Sequence, residues 1–238
     1  MSEALVKASK KLTALRQKDD FQGILDAYKQ EIEGQYELES IAANHWILFA
    51  VIQAYRKLRR YLEAWSWFTH TMQQHQLTEQ STYVLRELGW SLFMLLRQWR
   101  KNPGDTVQQA RHAQIMLPDI TQQMLDALQP EQEYLLFTRL LFERAEAERQ
   151  RPNPDYAAII DLLNRISPGA LSTKPTTFTG KEGKQQEGMS DRERWYSLMT
   201  QAMQKKGDYM GCREMAVEAL QQLPAFHFNN DIWLKRRQ

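Results

Sequence analysis

Apolar residues recur three and four positions apart through most of this 238-residue chain. The first two such segments span Leu5 to Leu15 and Phe21 to Ile32, and the polar break Lys18-Asp19-Asp20 separates them. Because residues at this spacing share one face of an α-helix, the two segments predict a pair of antiparallel helices.

The same periodicity continues, and proline, the residue that most reliably stops a helix, first occurs at Pro103. Breaks at turn residues and prolines divide the rest of the pattern into further predicted helices. They cover residues 41–58, 61–76, 81–100, 107–116, 120–128, 132–150, 156–166, 191–206, 209–223 and 230–237.

The pattern fails between residues 167 and 190, which hold four of the ten glycines and only three large apolar residues, Leu171, Phe178 and Met189. Such a segment buries too little apolar surface to offset the entropy of ordering, so it predicts a flexible loop. The predicted organisation is a helical-repeat region over 1–166, this loop over 167–190, and a helical hairpin with the start of a capping helix over 191–238.

Composition supports a helical fold, since leucine outnumbers valine 28 to 5. Charge is nearly balanced at +2, so no global field draws the chain to nucleic acid or to a membrane surface.

The longest apolar run, 46–52, has 7 residues and is too short to span a bilayer. The single cysteine, Cys212, and the lack of a signal-peptide pattern predict a cytoplasmic protein.

A longer periodicity appears in the second helix pair, a unit of 34 residues from His45 to Thr78. Its apolar and small residues stand at positions 4, 7, 8, 11, 17, 20, 24 and 28 of the unit: Leu48, Val51, Ile52, Tyr55, Tyr61, Ala64, Phe68 and Met72. This spacing resembles the tetratricopeptide repeat. A second match covers Glu193 to Phe226 and a weaker one Leu5 to Leu38, whereas the spacing is lost between Glu79 and Ile166.

The resemblance implies an all-α fold in which antiparallel helical hairpins stack as an irregular solenoid, with a concave groove that binds a protein or peptide. It assigns groove positions to eight residues: Trp46, Phe49, Gln53, Arg56, Lys57, Arg194, Gln201 and Lys205. Trp46 and Phe49 are the candidate aromatic anchors of that groove. The alternative is that an N-terminal helix covers both rings.

Catalytic chemistry finds no support in the sequence. No His-Glu-x-x-His, glycine-rich phosphate loop or Gly-x-Ser-x-Gly elbow occurs, and the five histidines lack the spacing of metal ligands. Cys212 falls on a small-residue position of its repeat, where a packed thiol is expected. The sequence therefore predicts a protein that is not an enzyme and holds no cofactor or metal.

Three functions remain open at this point. The first is an adaptor or scaffold that binds a protein or peptide in the groove. The second is a nucleic-acid-binding protein that uses the basic clusters at 56–60, 97–101 and 235–237. The third is a sensor or docking subunit of a larger assembly.

Overall fold

The computed structural model describes residues 3–72, 77–179 and 185–223. These residues are mostly α-helical, with twelve α-helices and one two-stranded sheet, which confirms the all-α class. None of the helices in these ranges combines the length and apolar character that crossing a membrane requires.

The helices follow one another with short connections over most of the chain. Their bounds are α1 Glu3–Gln17, α2 Phe21–Glu31, α3 Leu38–Ala42, α4 His45–Lys57, α5 Tyr61–Met72, α6 Thr82–Lys101, α7 Pro103–His112, α8 Leu117–Ala127, α9 Pro130–Arg149, α10 Tyr156–Asn164, α11 Asp191–Lys206 and α12 Tyr209–Gln222. Short 3-10 helices cover Leu77–Glu79 and Pro168–Ala170. The helix predicted over 230–237 lies outside the described residues, as do residues 73–76 of the helix predicted over 61–76.

The single helix predicted over 41–58 is wrong, because the chain forms α3 and α4 there with a break between them. Asn44 causes the break: its side-chain oxygen accepts hydrogen bonds from the backbone N–H groups of Trp46 and Ile47, at 3.2 and 3.3 Å. Such a cap satisfies donors at the start of a helix and so begins a new one. The apolar periodicity runs through the break and hides it.

Contacts divide the chain into two compact units, Met1–Glu143 and Arg144–Gln238. In the first unit, α4 packs against α1, α2, α5 and α6, and most of its residues are buried. Trp65 of α5 is buried as well, and its indole N–H donates to the Leu88 carbonyl of α6 at 3.2 Å. Helix α4 is therefore the centre of this unit.

Paired side chains give the direction of neighbouring helices in the first unit. Between α4 and α6, Phe49 meets Tyr83 near the helix starts and Gln53 meets Glu87 one turn further on. Between α6 and α9 two ion pairs, Arg86 with Glu133 and Arg100 with Glu143, follow the same order along both helices. Helices α4 and α6 thus run parallel, as does the part of α9 between Glu133, where non-helical backbone interrupts the helix, and residue 143.

The second unit is built around α11, which packs against α10 and α12. Trp195 is buried, and its indole N–H donates to the Leu163 carbonyl of α10 at 2.9 Å. Gly207 ends α11 in a left-handed conformation, with φ of 90°, which glycine adopts without strain. Cys212 is buried on α12, as expected for a packed thiol.

The segment 167–190 contains strands, which the sequence analysis did not predict. Strand β1, Thr176–Thr179, pairs antiparallel with β2, Gln185–Gly188. The β-branched threonines of β1 favour extended backbone, whereas β2 holds no β-branched residue and is extended through its pairing with β1. Arg192 of α11 donates to the carbonyl oxygens of Gly169 and Leu171 at 2.7 and 3.0 Å, which anchors the start of the segment. The flexibility predicted for 167–190 remains to be tested.

Candidate functional site

An exposed pair of aromatic rings lies where helices α4 and α6 begin. Trp46 is 46% exposed and Tyr83 is 56% exposed. Their ring centroids are 6.5 Å apart, and their planes differ by 23°. Large exposed aromatic rings are uncommon on a soluble surface and are enriched where partners bind.

Phe49 forms the base of this pair. Its ring is 8% exposed and meets Trp46 and Tyr83 edge-on, with centroids 6.3 and 6.0 Å away. The guanidinium of Arg16 on α1 covers the other part of the ring, 5.1 Å from its centroid. The sequence left two possibilities for both rings, exposure in the groove or cover by an N-terminal helix. Trp46 is exposed, whereas α1 covers Phe49.

A groove opens beside this cluster, between α1 and the start of α4. It has a volume of about 580 Å³, and we call it the α1–α4 groove. Its lining consists mainly of residues from one face of α1 and the residues at the junction of α3 and α4: Val6, Ser9, Lys10, Thr13, Ala14, Arg16, Gln17, Ala43, Asn44, His45 and Trp46.

The groove lining is cationic. Lys10, Arg16 and His45 are its ionisable side chains, and no Asp or Glu belongs to the lining. The neighbouring Lys11 instead forms an ion pair with Glu31 on α2. Within the part of the chain that the structure describes, neither Lys10 nor Arg16 forms an ion pair.

Two predicted groove residues, Gln53 and Arg56, are partly exposed and contact a buried carboxylate. Gln53 Nε2 donates to Oε1 of Glu87 at 3.1 Å, and Arg56 Nε donates to Oε2 of the same side chain. The Glu87 side chain is only 8% exposed. Lys57 is exposed, and its ammonium lies 5.7 Å from the ring centroid of Phe21. The charge of Arg56 is therefore matched within the fold.

The three candidate residues of the last repeat lie in the second unit. Gln201 and Lys205 line a cavity of about 160 Å³ together with Arg149 and Tyr156. Arg194 does not line this cavity, and its guanidinium faces Glu146 at 3.8 Å. The cavity is too small for a peptide, because drug-sized ligands already occupy ~300–1,000 Å³.

Sequence reasoning missed Tyr83, Glu87, Lys10 and Arg16. The 34-residue spacing could have identified Tyr83 and Glu87. Glu87 follows Gln53 by 34 positions, and Tyr83 follows Phe49 by the same interval. The apolar positions of that stretch do not keep the spacing, so the predicted repeat ends at residue 78. Nothing in the sequence distinguishes Lys10 from its neighbour Lys11.

Three arginines of the predicted basic clusters, besides Arg56, contact other side chains of this chain. Arg60 pairs with Glu63 at 3.1 Å and lies over the Tyr55 ring, and Arg100 donates to Glu143 at 2.9 Å. Arg97 lies over the ring of Phe93, 5.6 Å from its centroid. The third cluster, 235–237, lies outside the described residues.

A second cavity, of about 640 Å³, lies between α5 and α8. Buried aromatic rings, Trp65 and Phe68, form one wall, and Asp119 and Asp126 stand on the other. It borders Met72 and Leu77, the two residues on either side of a stretch that the structure does not describe. The α1–α4 groove borders no such stretch and adjoins the exposed aromatic pair, so it is the candidate site.

Among the described residues, no three His, Cys, Asp or Glu side chains come together as a metal site would require. Comparison with family models, with curated proteins and with solved structures finds no significant match to this chain. The interpretation of the site therefore depends on its own geometry.

Proposed function

We propose that this protein is a non-enzymatic adaptor of the helical-repeat type, and that it binds an extended segment of a partner protein in the α1–α4 groove. The observation that carries the proposal is the exposed pair Trp46 and Tyr83 at the edge of that groove. Tryptophan and tyrosine are the residues most enriched among those that dominate binding energies. The proposal places the protein in the cytoplasm, where a single cysteine such as Cys212 stays reduced.

The packing of the first unit supports an irregular stack that is similar to tetratricopeptide repeats. In such a stack each helix contacts the next, and alternate helices lie parallel along one face. Helices α4 and α6 follow this rule, with α5 packed against both of them. The contact of Gln53 with Glu87, 34 positions later, is the spacing expected for equivalent residues of successive repeats.

The arrangement favours a peptide over a nucleic acid. A protein that binds the phosphate backbone needs several cations free to contact it. Arg56, Arg60 and Arg100 are instead paired with carboxylates of this chain. What remains near the aromatic pair is a short groove with few cations, which suits a side-chain anchor and its flanking residues.

Selection from a display library of random peptides tests the proposal. Peptides recovered against the full-length protein are synthesised, and their affinities are measured for the wild type, Trp46→Ala and Tyr83→Ala. Each substitution is expected to weaken binding by more than about 1 kcal/mol, roughly fivefold, because both remove an anchor.

Tyr209→Ala is the matched control, since Tyr209 is 70% exposed but lies in the second unit. It is expected to leave the affinity unchanged. Peptides that bind equally to Trp46→Ala and to the wild type, or a library that yields no binder, would refute the groove as a peptide site. Tighter binding of single-stranded oligouridylate than of any peptide would favour the nucleic-acid alternative.

A further inference from the structure

The ligand chemistry follows from the charges around the groove. Every ionisable side chain in its lining is basic: Lys10, Arg16 and His45. The buried carboxylate of Glu87 is matched by Arg56 and does not line the groove. A groove with unmatched cations selects ligands of opposite charge, since complementary potentials determine specificity and the rate of association.

Arg16 is held in place by the fold. The guanidinium of Arg16 rests on the Phe49 ring, whose position is set by α4, and a stacked guanidinium keeps its N–H donors available at its edge. Lys10 stands on the same face of α1, since both side chains line the groove. Arginine binds a carboxylate through two parallel hydrogen bonds, so Arg16 is suited to that group.

We infer that the α1–α4 groove recognises an acidic segment in which two side-chain carboxylates, bound by Lys10 and Arg16, accompany one apolar side chain that packs on Trp46. This inference rests on the proposed function and adds the class of ligand to it. A free C-terminus is not required, because the ligand groups are side chains.

The helix geometry gives the separation of the two cations along α1. Lys10 and Arg16 lie six positions apart, and a helix rises ~1.5 Å and turns ~100° per residue, so their backbones stand about 9 Å apart along the axis and about 120° apart around it. An extended peptide advances ~3.3 Å per residue, and about three of its residues cover that length. An acidic residue, two intervening residues and a second acidic residue match this separation along the axis, and the two long side chains must reach around the helix to meet them.

A pair of synthetic peptides tests this. Both are acetylated and amidated at their ends, carry a fluorescein label and contain one leucine next to an acid-x-x-acid pattern. In the second peptide Asn and Gln replace Asp and Glu. Fluorescence anisotropy against the full-length protein is expected to show at least tenfold tighter binding of the acidic peptide, with affinity falling as salt rises from ~50 to 200 mM.

Protein variants show whether Lys10 and Arg16 cause the preference for the acidic peptide. Lys10→Gln and Arg16→Gln are each expected to weaken the acidic peptide about threefold to tenfold and to leave the neutral peptide unchanged, whereas Arg16→Lys retains part of the affinity because it retains the charge. The matched controls are Lys29→Gln on α2 and Arg111→Gln on α7, both exposed and outside the groove lining. Melting curves verify that each variant is folded.

The outcomes separate this inference from the proposed function. If the neutral peptide, or neutral peptides from the library, bind as tightly as the acidic one and still depend on Trp46, the groove is a peptide site and the acidic preference is wrong. If neither peptide binds and the library yields no binder, both proposals fall. If oligouridylate competes better than the acidic peptide through Lys10 and Arg16, the cations serve a nucleic acid and both proposals are again wrong.

Discussion

Arg56 on α4 donates a hydrogen bond from its Nε atom to the buried carboxylate of Glu87 on α6. The resemblance to tetratricopeptide repeats assigns Arg56 to the binding groove, and this contact also pairs its charge within the fold. Gln53 donates to the other oxygen of the same carboxylate, at 3.1 Å. The three side chains hold two parallel helices together, so we expect Arg56 to act on stability rather than on binding alone.

Arg56→Ala is therefore expected to destabilise the protein by about 3 kcal/mol, because it leaves the Glu87 carboxylate buried without its cation. Chemical denaturation followed by circular dichroism measures the change. Lys57→Ala is the adjacent control, and its exposed ammonium should contribute less than ~0.5 kcal/mol. The double substitution Arg56→Met with Glu87→Leu should recover most of the lost stability, since it removes both charges. Equal stability of Arg56→Ala and the wild type would contradict this account.

Trp46→Ala is expected to change the free energy of unfolding by less than about 1 kcal/mol, because its ring is about half exposed. Ala64→Leu provides the contrast. Ala64 is fully buried on α5, so the larger side chain overpacks the core and should cost ~1–3 kcal/mol. Thermal melts of the two variants compare these costs directly. A Trp46→Ala protein that melts as early as Ala64→Leu would show that the indole belongs to the core.

Gly89 and Gly104 offer a matched test of helix packing. A Cβ atom on Gly89 would stand 2.6 Å from Cδ2 of the buried Leu136, whereas one on Gly104 would meet nothing within 4 Å. Alanine gains up to ~1 kcal/mol over glycine in a helix, so Gly104→Ala should stabilise the protein slightly. At Gly89 the overpacking of ~1–3 kcal/mol outweighs that gain. Denaturation midpoints that rise equally for both variants would show that α6 and α9 pack less closely than described.

The pH dependence of stability follows from the buried tyrosines. Burial raises the pKa of Tyr28 and of Tyr55, and burial together with a hydrogen bond to Glu218 raises the pKa of Tyr196. An unfolded tyrosine loses its proton near pH ~10, so above that pH the unfolded state holds fewer protons than the folded state. The contribution of these groups to stability is then fully present below pH ~10 and is lost as the pH rises further.

Denaturant titrations between neutral pH and pH ~11 measure this loss. The free energy of unfolding should fall above pH ~10, and Tyr196→Phe should lessen the slope of the fall because it removes one of the shifted groups. The same variant is expected to lose about 1 kcal/mol at neutral pH with its hydrogen bond. A slope that Tyr196→Phe leaves unchanged would contradict the assignment.

Periodicity predicts the helices well because each helix buries one apolar face, and the three-and-four spacing of apolar residues along the sequence is enough to identify that face. It misses the break at Asn44, since a cap acts through one side-chain oxygen and leaves the apolar spacing intact. It also misses the strands over 176–179 and 185–188, because the first depends on the extended preference of its threonines and the second on pairing with the first. The exposure of Trp46 could be proposed from its repeat position, but the burial of Phe49 depends on Arg16, which lies 33 positions earlier.

The most direct test of the account is to locate a bound peptide on the surface. Benzoylphenylalanine, a photoreactive residue, replaces Tyr83 in one protein and Tyr209 in another; both tyrosines are exposed, but only Tyr83 stands beside the α1–α4 groove. Each protein is irradiated with a labelled library-selected peptide. We predict a crosslinked product from position 83 and none from position 209. Crosslinking at 209, or none at 83 from a peptide that binds, would contradict the claim that this groove is the binding site.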